Sequence, residues 1–401
     1  MTSPNVSVLM ATYNRARFIA ESLESVFAQT HPPSQIIVIN DGSTDNTRAA
    51  LAPFMQRIEY LESENRGKAS ALNFGMPRVT GDYVWIMDDD DVAMSDAMER
   101  HLAILETRSE VGWTYSSFIE STTDRETARI VPQREKILPE FPEEEFLVRL
   151  MEQCFLIHPT ILVRASCYRE VGAFDPDLIR CQDYEMAVRL ARRFPCVRIS
   201  GPTICYRMHG GARGSAQDTF KPAQIQEKWL EYMQTFMRKL REEMPLSEYL
   251  PGHPTPDYTI SNLRYAYLRR VAIMARKRLY KEMIEDLRSA TQVNPTDFST
   301  LTPAERNLLR ELFNSINDPR FFQKDLLLSI RSACRGPAGF AVRGELIRCL
   351  YWDTMNALRG ANLARAFGAA SAAMYLSGVG VLRSFVRDRN AQPGTHDPVL
   401  L

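Results

Sequence analysis

None of the cysteines in this chain lies in a CxxC pair, and their number is odd: Cys154, Cys167, Cys181, Cys196, Cys205, Cys334 and Cys349 make seven. Such spacing supports neither a zinc site nor a disulfide framework, and reduced thiols in a cytoplasmic protein are the simpler expectation. A dominant sign of charge is missing too, because 49 Lys and Arg balance 49 Asp and Glu. A generally basic nucleic-acid binder is therefore not indicated. No basic segment precedes the apolar run Val6–Ala11, which is too short for a secretory leader and reads as a first strand. The stretch Ala366–Leu382 has no charge, yet as a helix it would span only roughly 25 Å of a ~30 Å hydrocarbon core. Being rich in Ala, Gly and Ser, it reads either as a close-packed helix of a bundle or as a peripheral membrane contact helped by Arg383 and Arg387.

What is present is enough for two domains. The chain has 401 residues, with 45% apolar and 24% charged, an ordinary composition for building a core. Up to about Tyr115, apolar runs alternate with helical patterns. Val6–Ala11, Gln35–Asn40, Ile58–Leu61, Tyr83–Met87 and Val111–Phe118 read as strands. Between them, Ala16–Gln29, Thr44–Met55, Lys68–Met76 and Asp96–Glu106 read as helices, the second opened by Ser43 or Thr44 as a cap. This order implies a parallel sheet covered on both faces, with ligands outside the carboxyl ends of its strands. Residues 119–140, interrupted by Pro132 and Pro139, read as a loop. Helices follow at Phe141–Glu152, Ser166–Val171 and Asp183–Arg193, with Pro159–Val163 a strand or extended turn. Past Gly210–Ser215 strands nearly vanish. Candidate helices there are Gln224–Glu242, Ser261–Ala290, Pro303–Asn314, Gln323–Ser332, Gly344–Leu358 and Leu363–Phe385, and no fixed repeat period emerges. We expect one domain over 1–220 and a helical domain over 221–401.

Chemistry concentrates at the ends of the strands. Asp88, Asp89, Asp90 and Asp91 follow the strand Tyr83–Met87 directly. Two like charges about 4 Å apart repel by ~1 kcal/mol in water and ~4 kcal/mol at an effective dielectric of 20. A divalent cation with oxygen ligands relieves such crowding, whereas a solvated acidic loop is the plainer reading of the run alone. Asp41 follows the second strand, on the same sheet edge, with Gly42 permitting a tight turn. Thr12, Tyr13 and Arg15 follow the first strand, where Tyr13 could flank a base and Arg15 could meet a phosphate. Gly67 and Lys68 open a helix whose free amides would favour an anion. Loop polarity and capping explain each of these alone. Their joint arrival on one edge does not have that explanation.

Together the segments SVLMATYNR, IIVINDGSTDNT, ENRGKASALNFG, GDYVWIMDDDDV, HPTILVRASCYREVGAFDP, QDYEMAVRLA and YRMHGGARGS resemble the family 2 glycosyltransferases, over about residues 4–215. The resemblance implies the α/β GT-A fold, a Rossmann-like, mostly parallel sheet, followed here by an all-α region. It implies transfer from a nucleoside diphosphate sugar, uridine-linked by family habit, to a glycan, lipid-linked or protein hydroxyl in cell-envelope polysaccharide biosynthesis. Asp41 would meet the base, in a pocket lined by Thr12, Tyr13 and Arg15, with Lys68 nearby. Asp88 and Asp90 match the DxD motif. Asp88 would lie near the ribose, Asp90 would hold Mn²⁺ or Mg²⁺, and Asp89 is the variable middle residue. Asp183 would be the base that deprotonates the acceptor, and His209 would reach the metal or diphosphate. Gln182 stands where the family usually has Glu, and Ala11 where it usually has Pro. Cytoplasmic placement, or a peripheral one at the inner membrane face, fits this reading.

The expected reaction is one in-line displacement, which inverts the anomeric centre. A sugar nucleotidyltransferase is the nearest other enzyme class, but it usually needs a glycine-rich loop after the first strand, and Ala11–Arg17 has no glycine. A non-catalytic nucleotide-sugar sensor or scaffold is the other alternative, and Gln182 leans toward it.

Overall fold

The computed structural model describes residues 4–209, 213–214, 219–220, 224–252, 260–293, 300–315, 318–360 and 362–385. The chain divides into two compact units, Met1–Leu240 and Arg241–Leu401.

The first unit is built on strands β1 (Val6–Thr12), β2 (Gln35–Asp41), β3 (Glu59–Ser63) and β4 (Tyr83–Asp88), followed by β5 (Val92–Ala93), β6 (Trp113–Thr123), β7 (Ile130–Lys136), β8 (Ile161–Arg164) and β9 (Cys196–Arg207). Their order across one sheet is β3-β2-β1-β4-β8-β6-β9-β5, with β7 on the flank of β6. The strands β3, β2, β1 and β4 run parallel, Val8 facing Ile36 on one side and Trp85 on the other. Strands β1, β2 and β4 are almost wholly buried, as continuous apolar runs in a parallel sheet must be. From β8 onward the sheet is mixed: β8 is antiparallel to β4 and β6, while β9 is parallel to β6. The expected mostly parallel Rossmann-like core is therefore present.

Helices α1 (Ile19–Phe27), α2 (Thr47–Leu51), α3 (Lys68–Gly75), α4 (Ala97–Leu105), α5 (Glu143–Glu152), α6 (Ala165–Val171) and α7 (Gln182–Ala191) connect the strands. Helix α8 (Ile225–Glu243) begins in this unit, where Phe236 meets Tyr184 edge-on at 5.1 Å. That contact keeps most of α8 with the sheet domain, so the division falls after Leu240.

Several sequence expectations need correcting. Residues 119–140 are not a loop: β6 runs on to Thr123 and turns back as β7. The strand β7 is exposed, charged and interrupted by Pro132, the composition an edge strand tolerates and a loop shares. The long strand β9 went unrecognised because Gly201 and Pro202 interrupt its pattern, and its pairing with β6 shifts register around Ser117. Helix α2 starts at Thr47, later than expected. Neither Ser43 nor Thr44 caps it, and the Asp45 carboxylate accepts from the Thr47 amide at 2.9 Å.

The second unit is helical: α9 (Ile260–Arg276), α10 (Tyr280–Gln292), α11 (Pro303–Ser315), α12 (Lys324–Ala333), α13 (Gly336–Arg359) and α14 (Leu363–Phe385). The expected single helix Ser261–Ala290 is two, broken where Arg278 takes a φ of 59°. Helix α13 starts eight residues before the expected Gly344. Thr302 and Glu305 close a reciprocal cap on α11, through Glu305 Oε2 at 2.8 Å from the Thr302 amide and Thr302 Oγ1 at 3.2 Å from the Glu305 amide. The same Glu305 takes a two-pronged bond from the buried Arg264 guanidinium, at 2.6 and 2.7 Å. Among the described residues no helix is long and apolar enough to cross a membrane. None of the seven cysteines is in a disulfide among the described residues. Arg387 and residues 210–212 and 215 of the YRMHGGARGS segment lie outside the described residues.

Candidate active site

A cavity of about 310 Å³ opens at the carboxyl ends of β1, β2 and β4, and Thr12, Tyr13, Arg15, Asp41, Lys68, Asp88, Asp89, Asp90 and Asp183 all line it. Nine of the ten residues singled out in the sequence thus meet at one place. His209 is not among the lining residues, but its Nε2 lies 2.7 Å from Asp90 Oδ2.

The walls are held by crossed hydrogen bonds between loops. After β1 the chain turns through Asn14, whose φ of 54° is unusual for a side-chain-bearing residue. Its Oδ1 accepts from the amides of Thr44 at 2.8 Å and Asp45 at 3.2 Å, while its own amide donates to Ser43 Oγ at 2.9 Å. The loops after β1 and β2 are therefore stitched into one support beneath Tyr13 and Arg15. Gly42 permits this: its φ is 71°, and a Cβ there would sit 2.8 Å from the Asn65 backbone nitrogen. Gly42→Ala is expected to destabilise the protein by about 1–3 kcal/mol, read as a lower urea midpoint with an unchanged slope. An unchanged midpoint would mean the loop is free to move aside.

Asp41 is spent largely on structure. Oδ1 accepts from the Arg66 amide at 3.0 Å and Ser63 Oγ at 3.4 Å, and Oδ2 accepts from the Gly67 amide at 2.9 Å. Burial raises its pKa, and these three bonds oppose the shift. One lone pair of Oδ2 is left for a ligand donor. The two amides just ahead of α3 are consumed by Asp41, and Lys68 at the helix start lines the cavity.

The acidic run splits by burial. Asp88 pairs with the Lys68 ammonium. Burial alone would depress the Lys68 pKa, but Asp88, Asp183 and Asp89 raise it on balance, so it stays cationic. Arg15 Nε stands 3.3 Å from Asp90 Oδ2 and 3.7 Å from Asp89 Oδ1. Burial, then the charge of Asp90, pushes Asp89 up to about 7, against the pull of Arg15. Asp91 is fully buried, and burial followed by the charges of Asp90 and Asp88 drives its pKa well above the usual carboxylate range. Its Oδ1 accepts from the Arg207 amide at 2.8 Å, while its Oδ2 has no hydrogen-bond partner.

That oxygen bears on the metal question. Asp88, Asp90 and Asp91 each offer one oxygen, all within 4.8 Å of one another. A buried carboxylate oxygen with no donor is costly unless it is protonated or ligated. An all-oxygen set of carboxylates suits Mg²⁺ or Mn²⁺. The residues present therefore fit a hard divalent ion.

The sequence of residues 7–172 matches the profile described as Glycosyl transferase family 2. Residues 7–172 are a family 2 glycosyltransferase domain. An uncharacterized glycosyltransferase of Rickettsia felis is 28% identical over 269 residues, 65% of this chain and 44% of that protein. The chain thus spans less than half the length of this relative. A putative glycosyltransferase of Bacillus subtilis, EpsE, is 31% identical over 43% of this chain and 61% of its own. Among solved structures, S. aureus TarS 1–349 in complex with UDP-GlcNAc covers 93% of this chain and 92% of its own at 13% identity and a TM-score of 0.48.

Within the family 2 domain and the residues that complete its sheet, sequence reasoning missed several groups. Asp91 was not separated from its neighbours, because adjacent residues in a turn give no hint of which carboxylate points inward. Arg207 lies in the quoted segment YRMHGGARGS but received no role. It is buried, donates through Nε to the Asp90 carbonyl at 2.6 Å, pairs with Glu21, and lies 4.6 Å from the Phe18 ring centre. It fastens the acidic turn to α1 and β9. His158, Arg180 and Trp229 also line the cavity. Burial, and then Lys68, pushes the His158 pKa well down, so it is neutral, and its Nδ1 has no partner. Trp229 gave no sequence signal, since it comes from α8.

Proposed function

We propose that this protein transfers a sugar from a nucleoside diphosphate sugar to a hydroxyl of a glycan, lipid-linked or protein acceptor, inverting the anomeric centre. The observation that carries the reading is the shared cavity. Asp41, two carboxylates of the metal-competent cluster, Asp88 and Asp90, and a separate carboxylate, Asp183, all line it.

In this reading the remaining lone pair of Asp41 Oδ2 accepts from the nucleobase, and Tyr13 flanks its ring. Asp88, Asp90 and Asp91 would hold the divalent ion, with His209 behind Asp90. Such an ion neutralises charge that builds on a departing diphosphate. Arg15 and Lys68, cationic and already beside the acidic turn, orient the phosphates. Asp183 sits in the first turn of α7 with Oδ1 2.9 Å from the Tyr184 amide. It takes the proton of the acceptor hydroxyl as that oxygen attacks. Trp229 supplies an aromatic face on the wall where the acceptor would lie, with the neutral His158 lining the same cavity.

The test is a calorimetric titration of UDP, GDP, TDP and CMP with Mn²⁺ or chelator, followed by turnover of the sugar conjugate of whichever nucleotide binds. One nucleoside diphosphate is expected to bind only with metal, and Asp90→Ala to lose that binding. The product from an α-linked donor is expected to show the anomeric coupling constant of a β linkage. Retained configuration would overturn the inverting mechanism. Binding without turnover on any acceptor would favour a sensor, and pyrophosphate release from a nucleoside triphosphate and sugar phosphate would favour a nucleotidyltransferase.

A further inference from the structure

Helix α14 reverses the usual arrangement of a surface helix. The positions it buries are Ala366, Ala369, Ala372 and Leu376, three of them small. The positions it exposes include Leu363, Phe367 and Met374, at 70%, 76% and 69% accessibility. These three recur four and then seven residues apart, which places them along one face. Helix α13 packs along α14 and exposes Phe340, Tyr351 and Leu358 on one face of its own, with Trp352 beside Tyr351. Of the thirteen large apolar residues exposed among the described residues, these two helices hold eight, counting Tyr375. Single exposed apolar side chains need no explanation, but a concentration of this kind marks an interaction surface.

Charge indicates what covers it. From Thr354 to Phe385 the chain contains Arg359, Arg365 and Arg383 and no Asp or Glu. Arg359 follows exposed Leu358 directly and has no carboxylate partner among the described residues, while Arg365 bonds Asp353 at 2.9 Å. Apolar and aromatic side chains with Arg359 and Arg365 among them in sequence, and no acid on α14, complement an anionic lipid surface. The aromatic residues suit the headgroup level and the arginines the lipid phosphates. A symmetric contact with a second copy would set these arginines against one another with no acid on α14 to pair them. No described helix crosses a membrane, so the fit is to a surface rather than a span.

We propose that the α13–α14 face docks the protein on an anionic membrane surface. The docking is independent of which donor the cavity takes. The test is flotation of the full chain with vesicles of phosphatidylcholine alone and of equimolar phosphatidylcholine and phosphatidylglycerol. The mixed vesicles are expected to carry the protein, the neutral ones to carry far less, and high salt to release it. The triple substitution Leu363→Ser, Phe367→Ser, Met374→Ser is expected to lower the vesicle partition constant roughly tenfold or more, with an unchanged thermal melt because all three side chains are exposed. Should that variant melt abnormally, Arg359→Glu alone decides, through a several-fold loss confined to the anionic vesicles. Equal recovery with and without vesicles, or equal flotation of the variants, overturns the proposal. So does a wild-type dimer in sedimentation that the triple variant loses while neither protein floats, which would assign the face to a second copy.

Discussion

Asp183→Asn is expected to lower kcat by roughly 10²–10⁴-fold while leaving donor affinity within about twofold, a shift below the ~1.4 kcal/mol of a tenfold change. The asymmetry follows from where the residue stands. Asp183 lines the cavity from the first turn of α7, a different element from the acidic turn that ends β4. Its contact with the Tyr184 amide uses an oxygen that asparagine keeps, so the helix start should survive the change. What asparagine cannot do is accept the acceptor proton. One electrostatic side effect is foreseeable. Lys68 loses one of the carboxylates that raise its pKa, but Asp88 and Asp89 remain, so its charge and its hold on a phosphate persist. Steady-state kinetics beside calorimetry with the donor nucleotide separate the two effects. A matching fall in donor affinity and turnover would recast Asp183 as part of the donor site. Unchanged turnover would remove it from the chemistry.

The sheet and the cavity floor were legible in the sequence because their chemistry is local. Val6–Ala11, Gln35–Asn40 and Tyr83–Met87 are short, mostly apolar runs, and each is followed by polar residues that now border one cavity. A parallel sheet converts that repetition into proximity without further information. Legibility stopped where long-range pairing or side-chain direction decides. Strand β7 was read as loop because it pairs with β6 on one side and its residues face solvent. Strand β9 hid behind Gly201 and Pro202, although it carries Arg207 to the acidic turn. Asp41 looked like a ligand residue, and only the structure reveals how much of it is engaged by Arg66, Gly67 and Ser63. Which of four consecutive aspartates is buried likewise depends on the turn they adopt, not on their spacing.

Asp91 supports the second large effect. Mn²⁺ is expected to raise the melting temperature more at about pH 8 than at about pH 6, and Asp91→Asn is expected to abolish most of that stabilisation. Without an ion, burial holds the folded-state pKa of Asp89 near 7 and that of Asp91 well above the usual range. The folded protein therefore keeps protons that the unfolded chain, with ordinary carboxylates, has already released. For such raised groups the contribution to stability is fully present below about pH 4 and is lost as pH rises through the folded pKa. For Asp89 that window runs from about pH 4 to about pH 7. A divalent ion takes the place of the protons, so its affinity grows as they become easier to displace. At a hundredfold excess over Kd, a ligand confined to the folded state adds about 2.7 kcal/mol. Asparagine at 91 still accepts from the Arg207 amide through its carbonyl oxygen, but it carries no charge for a cation and relieves the repulsion from Asp90 and Asp88. The variant should accordingly melt no lower than wild type without metal at about pH 8, and respond little when Mn²⁺ is added. Thermal scans at both pH values, with Mn²⁺ and with chelator, provide the comparison. An equal Mn²⁺ shift in wild type and Asp91→Asn would place the ion elsewhere. A shift that did not grow with pH would mean that no proton leaves these carboxylates when the metal binds.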